Sequence, residues 1–260
     1  MTPRMTMWKI AMAAALVAEA TPSWAQTAPP TAATEEAVDP LALQALRQMG
    51  IELKTLKSFE LRAKATIETN LEDTDLKVTL GLENLYRVQR PDRLFAELRS
   101  DRQLRQYYYD GKSFTVNVPR QGFYANVAAP PTLDGLINRI YADYGITLPL
   151  SDLIQWSETG APTDGIRSAV RVGYAKIGNV DTDQFAFRGD DLDFQLWIAR
   201  GPHPLPAKIA FTSRDDPSRS SYSAELTWNT EAKFAPTVFA FKPDPKSSAI
   251  LLARIPDEEQ

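Results

Sequence analysis

The sequence predicts a mainly β fold of the α+β class, in which one antiparallel sheet curls, stays open on one side and is covered there by helices. Apolar and polar side chains alternate with a period of two through most of 59–241. Turn signals such as Asp110-Gly111 and Gly178-Asn179 separate the alternating stretches. Helical spacing occurs near 39–56 and 132–156. Strands that follow one another directly are therefore expected to form most of the domain.

The first 25 residues have the composition of an export signal. Arg4 and Lys9 form a positive region, residues 10–20 an apolar region, and Ser-Trp-Ala at 23–25 a small-x-small cleavage site. The alternative, a retained membrane anchor, is disfavoured because the apolar run is shorter than the roughly 20 residues that span a bilayer. The sequence predicts cleavage after Ala25 and a periplasmic location.

The composition of the remaining chain excludes several kinds of partner. Removing Arg4, Lys9 and Glu19 from 29 basic and 33 acidic residues leaves a net charge near −5, which disfavours binding to nucleic acid. The sequence has no cysteine, so disulfides and a cysteine-linked lipid are both excluded, and we expect a soluble, unanchored protein. The Thr-, Ala- and Pro-rich stretch 26–38 is predicted to be a tether, 39–256 the folded domain and 257–260 a tail.

The domain is predicted to begin with an amphipathic helix. Asp39 is placed to cap it, and Pro40 suits the first helical position. Apolar residues then recur at helical spacing, namely Leu41, Ala45, Leu46, Met49, Leu53 and Leu56. Gly50 is a candidate for a kink in this helix.

A first strand at 59–68 and a hairpin at 76–99 are predicted to follow. One parity of the two long strands is apolar, which predicts a common buried face formed by Phe59, Leu61, Ala63, Ala65, Ile67, Val78, Leu80, Leu82, Tyr86 and Val88. Arg90 continues this parity just before Pro91, where a strand end is expected. A cation at the end of an apolar face is unusual, because charged groups are rarely buried unpaired.

Further strands and two inserted helices complete the predicted order. The strands are expected at 94–98, 104–109, 114–118, 123–127, 169–177, 180–188, 192–199, 207–213, 222–228 and 239–241. Thr132 is placed to cap a helix whose apolar residues run from Leu133 to Tyr144, and Pro149 to start a second helix at 150–156. Two helices inserted into a meander are expected to lie on the apolar face of the sheet.

Five short segments carry a family resemblance: LYRVQRPDRLFAEL at 85–98, DGK at 110–112, LWIARGPHPLPAK at 196–208, DDPSRSSY at 215–222 and FAFKPDP at 239–245. In this order and spacing the chain resembles the Lol-type outer-membrane lipoprotein carriers of the Gram-negative periplasm. It resembles more closely a family of predicted periplasmic proteins of unknown function that shares the carrier fold. The LPLSDLI segment within 128–156 is similar to these relatives and not to the carriers.

The resemblance implies a half-barrel of about eleven strands with a helical lid over a cavity that holds acyl chains. Arg90 matches the strand-end arginine that, in the carriers, holds the lid closed by bonding to its backbone carbonyls. The residues expected to contact the ligand are Leu61, Ala63, Ala65, Val78, Leu80, Leu82, Tyr86, Arg90, Tyr108, Leu136 and Ile140. From the residues alone, Arg90 is equally well explained as an exposed hairpin residue, and Tyr108 as part of a strand with aromatics on both faces.

The sequence offers no catalytic or metal-binding set, and we expect neither an enzyme nor a cofactor. His203 is the one histidine and lies between two prolines in a predicted hairpin loop. Asp190, Asp191 and Asp193 lack the spacing of a calcium loop and fit a solvated turn. No serine-hydrolase, phosphate-loop or dinucleotide motif occurs.

Three functions stay open from the sequence. The favoured one is a monomeric periplasmic carrier that shelters the acyl chains of a lipid or lipoprotein. The second is a structural or regulatory module that fills its cavity with its own side chains and contacts another cell-envelope protein. Cavity volume separates these two, whereas an enzyme would need acids that converge in the cavity.

We expect the mature exported protein to begin at Gln26, because the small-x-small site follows a charged and an apolar region in the usual order. N-terminal sequencing or intact-mass measurement of the periplasmic protein tests this. A mature protein that begins at Ala11 or retains Met1 contradicts it.

Overall fold

Three α-helices and twelve strands follow one another along residues 37–71, 74–161 and 163–255, which are the residues that the computed structural model describes. The predicted signal peptide, most of the predicted tether and the tail 257–260 lie outside these residues. Val38, near the end of the predicted tether, forms a parallel bridge with Ala169.

The helices are α1 (Pro40–Thr55), α2 (Leu133–Tyr144) and α3 (Ser151–Thr159), and a short 3-10 turn covers Pro236–Val238. The strands are β1 (Ser58–Asn70), β2 (Lys77–Gln89), β3 (Arg93–Arg99), β4 (Leu104–Tyr109), β5 (Ser113–Val118), β6 (Phe123–Ala128), β7 (Ser168–Ile177), β8 (Val180–Arg188), β9 (Leu192–Ala199), β10 (Pro206–Ser213), β11 (Ser221–Asn229) and β12 (Ser248–Ala249).

All twelve strands belong to one open sheet, in the order β12-β6-β5-β4-β3-β2-β1-β11-β10-β9-β8-β7. The sheet does not close on itself, and its pairs are antiparallel except for β12 with β6. Strands β6 and β7 are consecutive in the chain but stand near opposite ends of the sheet. The segment that joins them, which contains α2 and α3, must therefore cross the sheet.

The predicted fold class is confirmed: the protein is mainly β, with an N-terminal helix and two further helices between the sixth and seventh strands. Asp39 caps α1 by accepting a hydrogen bond from the Leu41 N–H (2.8 Å), and Thr132 caps α2 by accepting one from the Gly135 N–H (3.1 Å). α1 is continuous through Gly50.

The last predicted strand is wrong. Residues 239–241 follow the 3-10 turn, with Phe239 as its C-terminal cap, and the last strand is the short β12. The prolines at 236, 243 and 245 explain this, because a proline cannot donate to a strand ladder. Phe241 packs instead on Tyr108 and Tyr124.

One face of the sheet, called here the inner face, is apolar and buried. The register places Leu61 opposite Tyr86, and Tyr86 opposite Ala96, and all three are buried. α1 packs there through its buried residues Ala42, Leu46, Met49 and Leu53, α2 through Leu133, Leu136 and Ile140, and α3 through Leu153 and Ile154. These contacts make one continuous core between the sheet and the three helices.

The opposite, outer face carries the charged parity and a C-terminal strap, residues 230–255. The strap crosses this face, where Phe241 packs on Tyr108 with the ring centroids 5.3 Å apart, and pairs with β6 through β12. Its end reaches α2, where the Ile255 N–H donates to the Asp143 carbonyl (2.9 Å).

Gly50→Ala is expected to destabilise the fold by about 1–3 kcal/mol, although alanine is the better helix former by roughly 1 kcal/mol. A Cβ at Gly50 would lie 2.8 Å from the backbone nitrogen of Ala161, so the loop after α3 would have to move. Urea unfolding measures the change. Gln44→Ala, at an exposed position of the same helix, is the control and should stay within about 0.5 kcal/mol of the wild type.

Candidate functional site

The candidate site is the contact between the inner face of β1–β4 and the two inserted helices α2 and α3, called here the helical cover. The cover reaches the sheet through apolar side chains such as Leu136 and Ile140, both almost fully buried. Polar groups on β2, on β4 and on the turn between β2 and β3 also form hydrogen bonds to the cover and its flanking loops.

Arg90 is the first of these hydrogen-bonding groups. Its own N–H donates to the Lys57 carbonyl (2.8 Å), which continues the β1–β2 register past the end of β2. Its guanidinium Nε donates to the Leu56 carbonyl, at the end of α1, and its Nη2 to the Ile154 carbonyl in α3, both at 3.1 Å. One cation thus joins the strand end to two helices.

The acceptors of Arg90 differ in part from those expected. Backbone carbonyls of the two cover helices were predicted, and α3 supplies one of them. Leu56, the residue after α1, supplies another. The Leu56 carbonyl is available to a cation because it lies at the C-terminal cap of α1, where carbonyls lack a partner within the helix.

Three further hydrogen bonds hold the loops around the cover helices. The Tyr86 hydroxyl donates to the Pro149 carbonyl before α3, and the Tyr109 hydroxyl to the Pro130 carbonyl before α2 (2.6 Å). The Leu133 N–H, in the first turn of α2, donates to the Pro91 carbonyl (3.1 Å). Each cover helix is therefore attached near its N-terminus to the sheet or to the turn that follows β2.

Burial favours the protonated form of the Tyr86 and Tyr109 hydroxyls. It raises the pKa of Tyr86 well above its usual value and the pKa of Tyr109 to about 12. Both hydroxyls therefore remain hydrogen-bond donors throughout the pH range in which the protein is expected to fold.

The structure brings together only some of the predicted ligand-contact residues. Six of them are buried between sheet and helices, where Arg90 also reaches: Leu61, Ala63, Ala65, Tyr86, Leu136 and Ile140. Three others, Val78, Leu80 and Leu82, share the inner-face parity but lie towards the tip of the β1–β2 hairpin. Leu80 is 41% exposed there.

Tyr108 does not belong to this group, which corrects the sequence prediction. The register pairs Ala96 with Tyr107 and Leu94 with Tyr109, so Tyr107 and Tyr109 lie on the inner face and Tyr108 on the outer one. There the Tyr108 ring packs edge-on against Phe95, with centroids 5.0 Å apart. Three adjacent aromatic residues give no parity signal, so only the strand pairing decides which of them face inward.

Sequence reasoning missed four polar groups on or above the inner face. Besides Tyr109, these are Asn84, which donates to the Tyr222 hydroxyl (3.2 Å), Tyr222 itself, and Asp152 in α3. Asn84 follows the apolar parity of β2, so its position was available from the sequence. Its partner, on β11, was not.

Side chains on both sides of the contact between cover and sheet are packed away from solvent. Two hollows of about 350 and 280 Å³ both open on the outer face, the first between the strap and Glu60 and Arg87, the second over Arg62 and Glu97. Beneath the cover, by contrast, Tyr86, Leu61 and Leu136 are each about 1% exposed. These three side chains are therefore almost completely shielded from solvent.

Asp152 lies in the first turn of α3, where a carboxylate is usually stabilised by the helix dipole. Burial outweighs that effect and raises the pKa of Asp152 to about 6. The Tyr86 hydroxyl, whose own pKa is raised in part by Asp152, belongs to the same surroundings. The helical cover therefore holds a carboxyl whose charged form is disfavoured by burial.

Several acids outside the site lie beside basic neighbours. Asp190 pairs with Arg167, and Asp193 lies 2.8 Å from Arg188 and 3.4 Å from Arg219. His203 contacts Glu52 of α1 at 2.9 Å. Within 37–71, 74–161 and 163–255, no three His, Asp or Glu side chains gather as metal ligands would. The helices of these same residues are also too short or too polar to cross a membrane.

Comparison with known proteins gives a family match and several distant structural likenesses. The family model described as "Predicted periplasmic protein (DUF2092)" matches residues 42–253. No protein of curated function matches the sequence.

Among solved structures, the lipoprotein LppX of Mycobacterium tuberculosis is 12% identical with a TM-score of 0.45, covering 75% of this chain and 98% of its own. LprF of Mycobacterium bovis is 12% identical with a TM-score of 0.44, over 75% and 96%. A LolA superfamily protein of Nitrosomonas europaea is 10% identical with a TM-score of 0.32, over 77% and 97%. At these scores the likenesses carry no argument about function.

Asp152→Asn is expected to become more stable than the wild type as pH rises from about 4 to about 6. Folding raises the pKa of this carboxyl from 3.8 to about 6, so a charged Asp152 opposes folding above that interval and a protonated one does not below it. The gain should approach about 3 kcal/mol at neutral pH.

Urea unfolding at several pH values measures this gain. Asp134→Asn, which removes the first-turn carboxylate of α2, is the matched control. A difference between the wild type and Asp152→Asn that stays constant from pH 4 to pH 7 would falsify the burial of this carboxyl.

Proposed function

The chain belongs to the family of predicted periplasmic proteins whose model it matches, and from this premise we propose that it is a non-enzymatic periplasmic carrier for acyl chains. In this proposal the chains of a lipid or lipoprotein bind to the inner face of the sheet. The helical cover opens to admit them and closes over them.

The attachment of the cover carries the proposal. Apolar contacts with the inner face supply most of the free energy that holds a helix pair on a sheet. Here a strand-end arginine and two buried tyrosines donate to main-chain carbonyls of the cover and its flanking loops. Main-chain carbonyls stay in place when the side chains of the helices repack. The same hydrogen bonds can therefore form again after the cover has detached.

The energetics suit exchange between a side-chain-filled and a ligand-filled state. Burial of apolar surface contributes about 25 cal/mol per Å², or about 0.8 kcal/mol for each methylene of an acyl chain. An acyl chain that takes the place of the apolar side chains of the cover, such as Leu136 and Ile140, restores apolar contacts that opening removes. The free-energy cost of loading is then mainly that of breaking the hydrogen bonds that attach the cover, each roughly 1–3 kcal/mol.

The second candidate is a structural or regulatory module that contacts another envelope protein. The observation that favours it is the filled inner face, since Leu61, Leu136 and Tyr86 are almost fully buried without any ligand. A module of this kind has no need to open. Whether apolar molecules enter the core therefore distinguishes the two candidates.

Native mass spectrometry of the mature protein, purified from a Gram-negative periplasm, tests the carrier. We expect bound species that organic extraction identifies as acyl-chain lipids, and a fluorescent fatty-acid probe that binds to the delipidated protein. A protein that carries no lipid and fails to bind the probe supports the structural module instead.

Arg90→Leu is expected to preserve the fold and probe uptake but to accelerate probe transfer to acceptor vesicles by about tenfold or more. It removes the bonds to Leu56 and Ile154, and a hydrogen bond from a charged donor contributes roughly 1.5–3 kcal/mol. Stopped-flow transfer between protein and vesicles measures the rate.

Arg93→Leu is the matched control for this experiment. It removes an arginine from the same turn, but one that interacts with Asp92 and not with a helix. Transfer rates equal to the wild type in both variants would show that Arg90 does not hold the cover.

A further inference from the structure

The C-terminal strap ends on the helical cover, although much of it lies on the other side of the sheet. Its Phe241 packs on Tyr108 and Tyr124 of the outer face, with ring centroids 5.3 and 5.0 Å apart. β12 then pairs with β6 at one end of the sheet, and the chain beyond β12 reaches α2. The strap therefore passes around this end of the sheet, from the outer face to a helix on the inner face.

The last turn of α2 has few attachments of its own. The buried residues of the helix all precede its last four positions: Leu133, Leu136, Ile137 and Ile140. The hydrogen bonds to the Pro91 carbonyl and from Tyr109 to Pro130 likewise lie at or before its N-terminal end. The C-terminal end of α2 therefore depends on contacts other than those that hold the rest of the helix.

The charge of this last turn is unfavourable for a helix. A helix C-terminus carries a partial negative charge and is stabilised by cations, but the last turn of α2 contains Asp143 and no basic residue. Arg254 of the strap places a guanidinium nitrogen 3.4 Å from the Asp143 carboxylate, and Arg139, one turn earlier in the helix, places another at 3.2 Å. The strap thus brings a cation to a helix end that has none in its last turn.

Ile255, the next residue of the strap, makes two further contacts with the end of α2. The last carbonyls of a helix lack a partner within it, and here the Asp143 carbonyl accepts a hydrogen bond from the Ile255 N–H (2.9 Å). The Ile255 side chain also lies close to Gly145, the left-handed C-terminal cap, because a Cβ at Gly145 would be 2.9 Å from its Cδ1. Two consecutive residues of the strap therefore supply an ion pair, a hydrogen bond and an apolar contact.

The strap is held more firmly at its start than near its end. Phe239 is 1% exposed, whereas both residues of β12 are exposed and Leu251 beyond it is 95% exposed. The N–H groups of Ser248 and Ile250 attach this part to β6 and to the residue before it, each at 2.8 Å. Segments with few buried apolar contacts open at the lowest free-energy cost. Residues 248–255 can therefore detach while Phe239 stays buried.

We propose that the C-terminal strap is a latch for the helical cover. While residues 248–255 lie along β6 and on α2, the C-terminal end of α2 stays on the inner face. When they detach, that end of the helix is released, whereas the N-terminal end remains attached to the turn after β2 and, through Pro130, to Tyr109. The cover then opens from the C-terminal end of α2.

This latch does not rest on the proposed carrier function. It is a property of the strap and α2, and a structural module with the same contacts would have it as well. In a carrier, it determines which end of the cover moves first. Lipid binding and the latch can therefore fail independently of each other.

Hydrogen exchange at single amides of the mature protein tests the latch. Ile255→Pro removes the donor to the Asp143 carbonyl. It should accelerate exchange about fivefold to tenfold at Gly145 and Ile146, whose N–H groups bond to α2 carbonyls, because one hydrogen bond that holds this end is lost. Exchange at Leu136, in the first turn, should stay within about twofold of the wild type. Ile255→Val keeps the N–H and is the matched control, which should exchange as the wild type does.

A second substitution tests whether the latch runs along the end of the sheet. Ile250→Pro removes the donor to the Tyr124 carbonyl, and the residue before it, Ala249, is in a strand, which suits a position before proline. Although this bond is made to β6, its loss should accelerate exchange at Gly145 and Ile146 at least about threefold. Ile250→Val is the matched control.

Three results would overturn the proposal. Unchanged exchange at Gly145 and Ile146 in Ile255→Pro would show that the strap does not hold α2. Equal acceleration at Leu136 would show that the strap stabilises the whole domain and not one end of the cover. An effect of Ile255→Pro without any effect of Ile250→Pro would show that the contact is confined to the last residues and does not depend on β12.

Discussion

The connection from β6 to β7 is the constraint on which this structure depends. These strands are consecutive but stand near opposite ends of a twelve-stranded sheet, so the chain between them must cross the sheet. The inner face is apolar and needs a cover, and an antiparallel sheet is normally covered on one face only. α2 and α3 therefore lie on the inner face as a consequence of connectivity and burial together.

Polar groups at the margin of the core determine how firmly that cover is held. Arg90, Tyr86 and Tyr109 all donate to main-chain carbonyls, and main-chain acceptors stay in place when helix side chains repack. Asp152 acts in the opposite sense, because its charged form is disfavoured by burial. In the proposed carrier, these hydrogen bonds stabilise the closed cover, and the buried carboxyl lowers the cost of opening it.

The apolar parity of the β1–β2 hairpin lies in two different environments. Near its base the apolar parity is covered by helices, and Leu61 and Tyr86 are buried. Near its tip the same parity continues past the cover and past the end of β3, so Leu80 remains exposed. The difference arises because the neighbouring strand and the helices are shorter than the hairpin.

The sequence by itself determined what depends on local chemistry. The alternation of side chains predicted most of the strands, Asp39 and Thr132 predicted two helix starts through their capping side chains, and the parity of Arg90 predicted a cation beside the apolar face. Tertiary structure decided what depends on pairing between distant residues. Only the register from β2 through β3 to β4 shows that Tyr109 faces inward and Tyr108 outward, since adjacent aromatic residues give no parity signal. Only the packed structure shows that the helices cover the inner face. A hydrophobic pattern predicts which side chains are buried, but it does not predict which other side chains they contact.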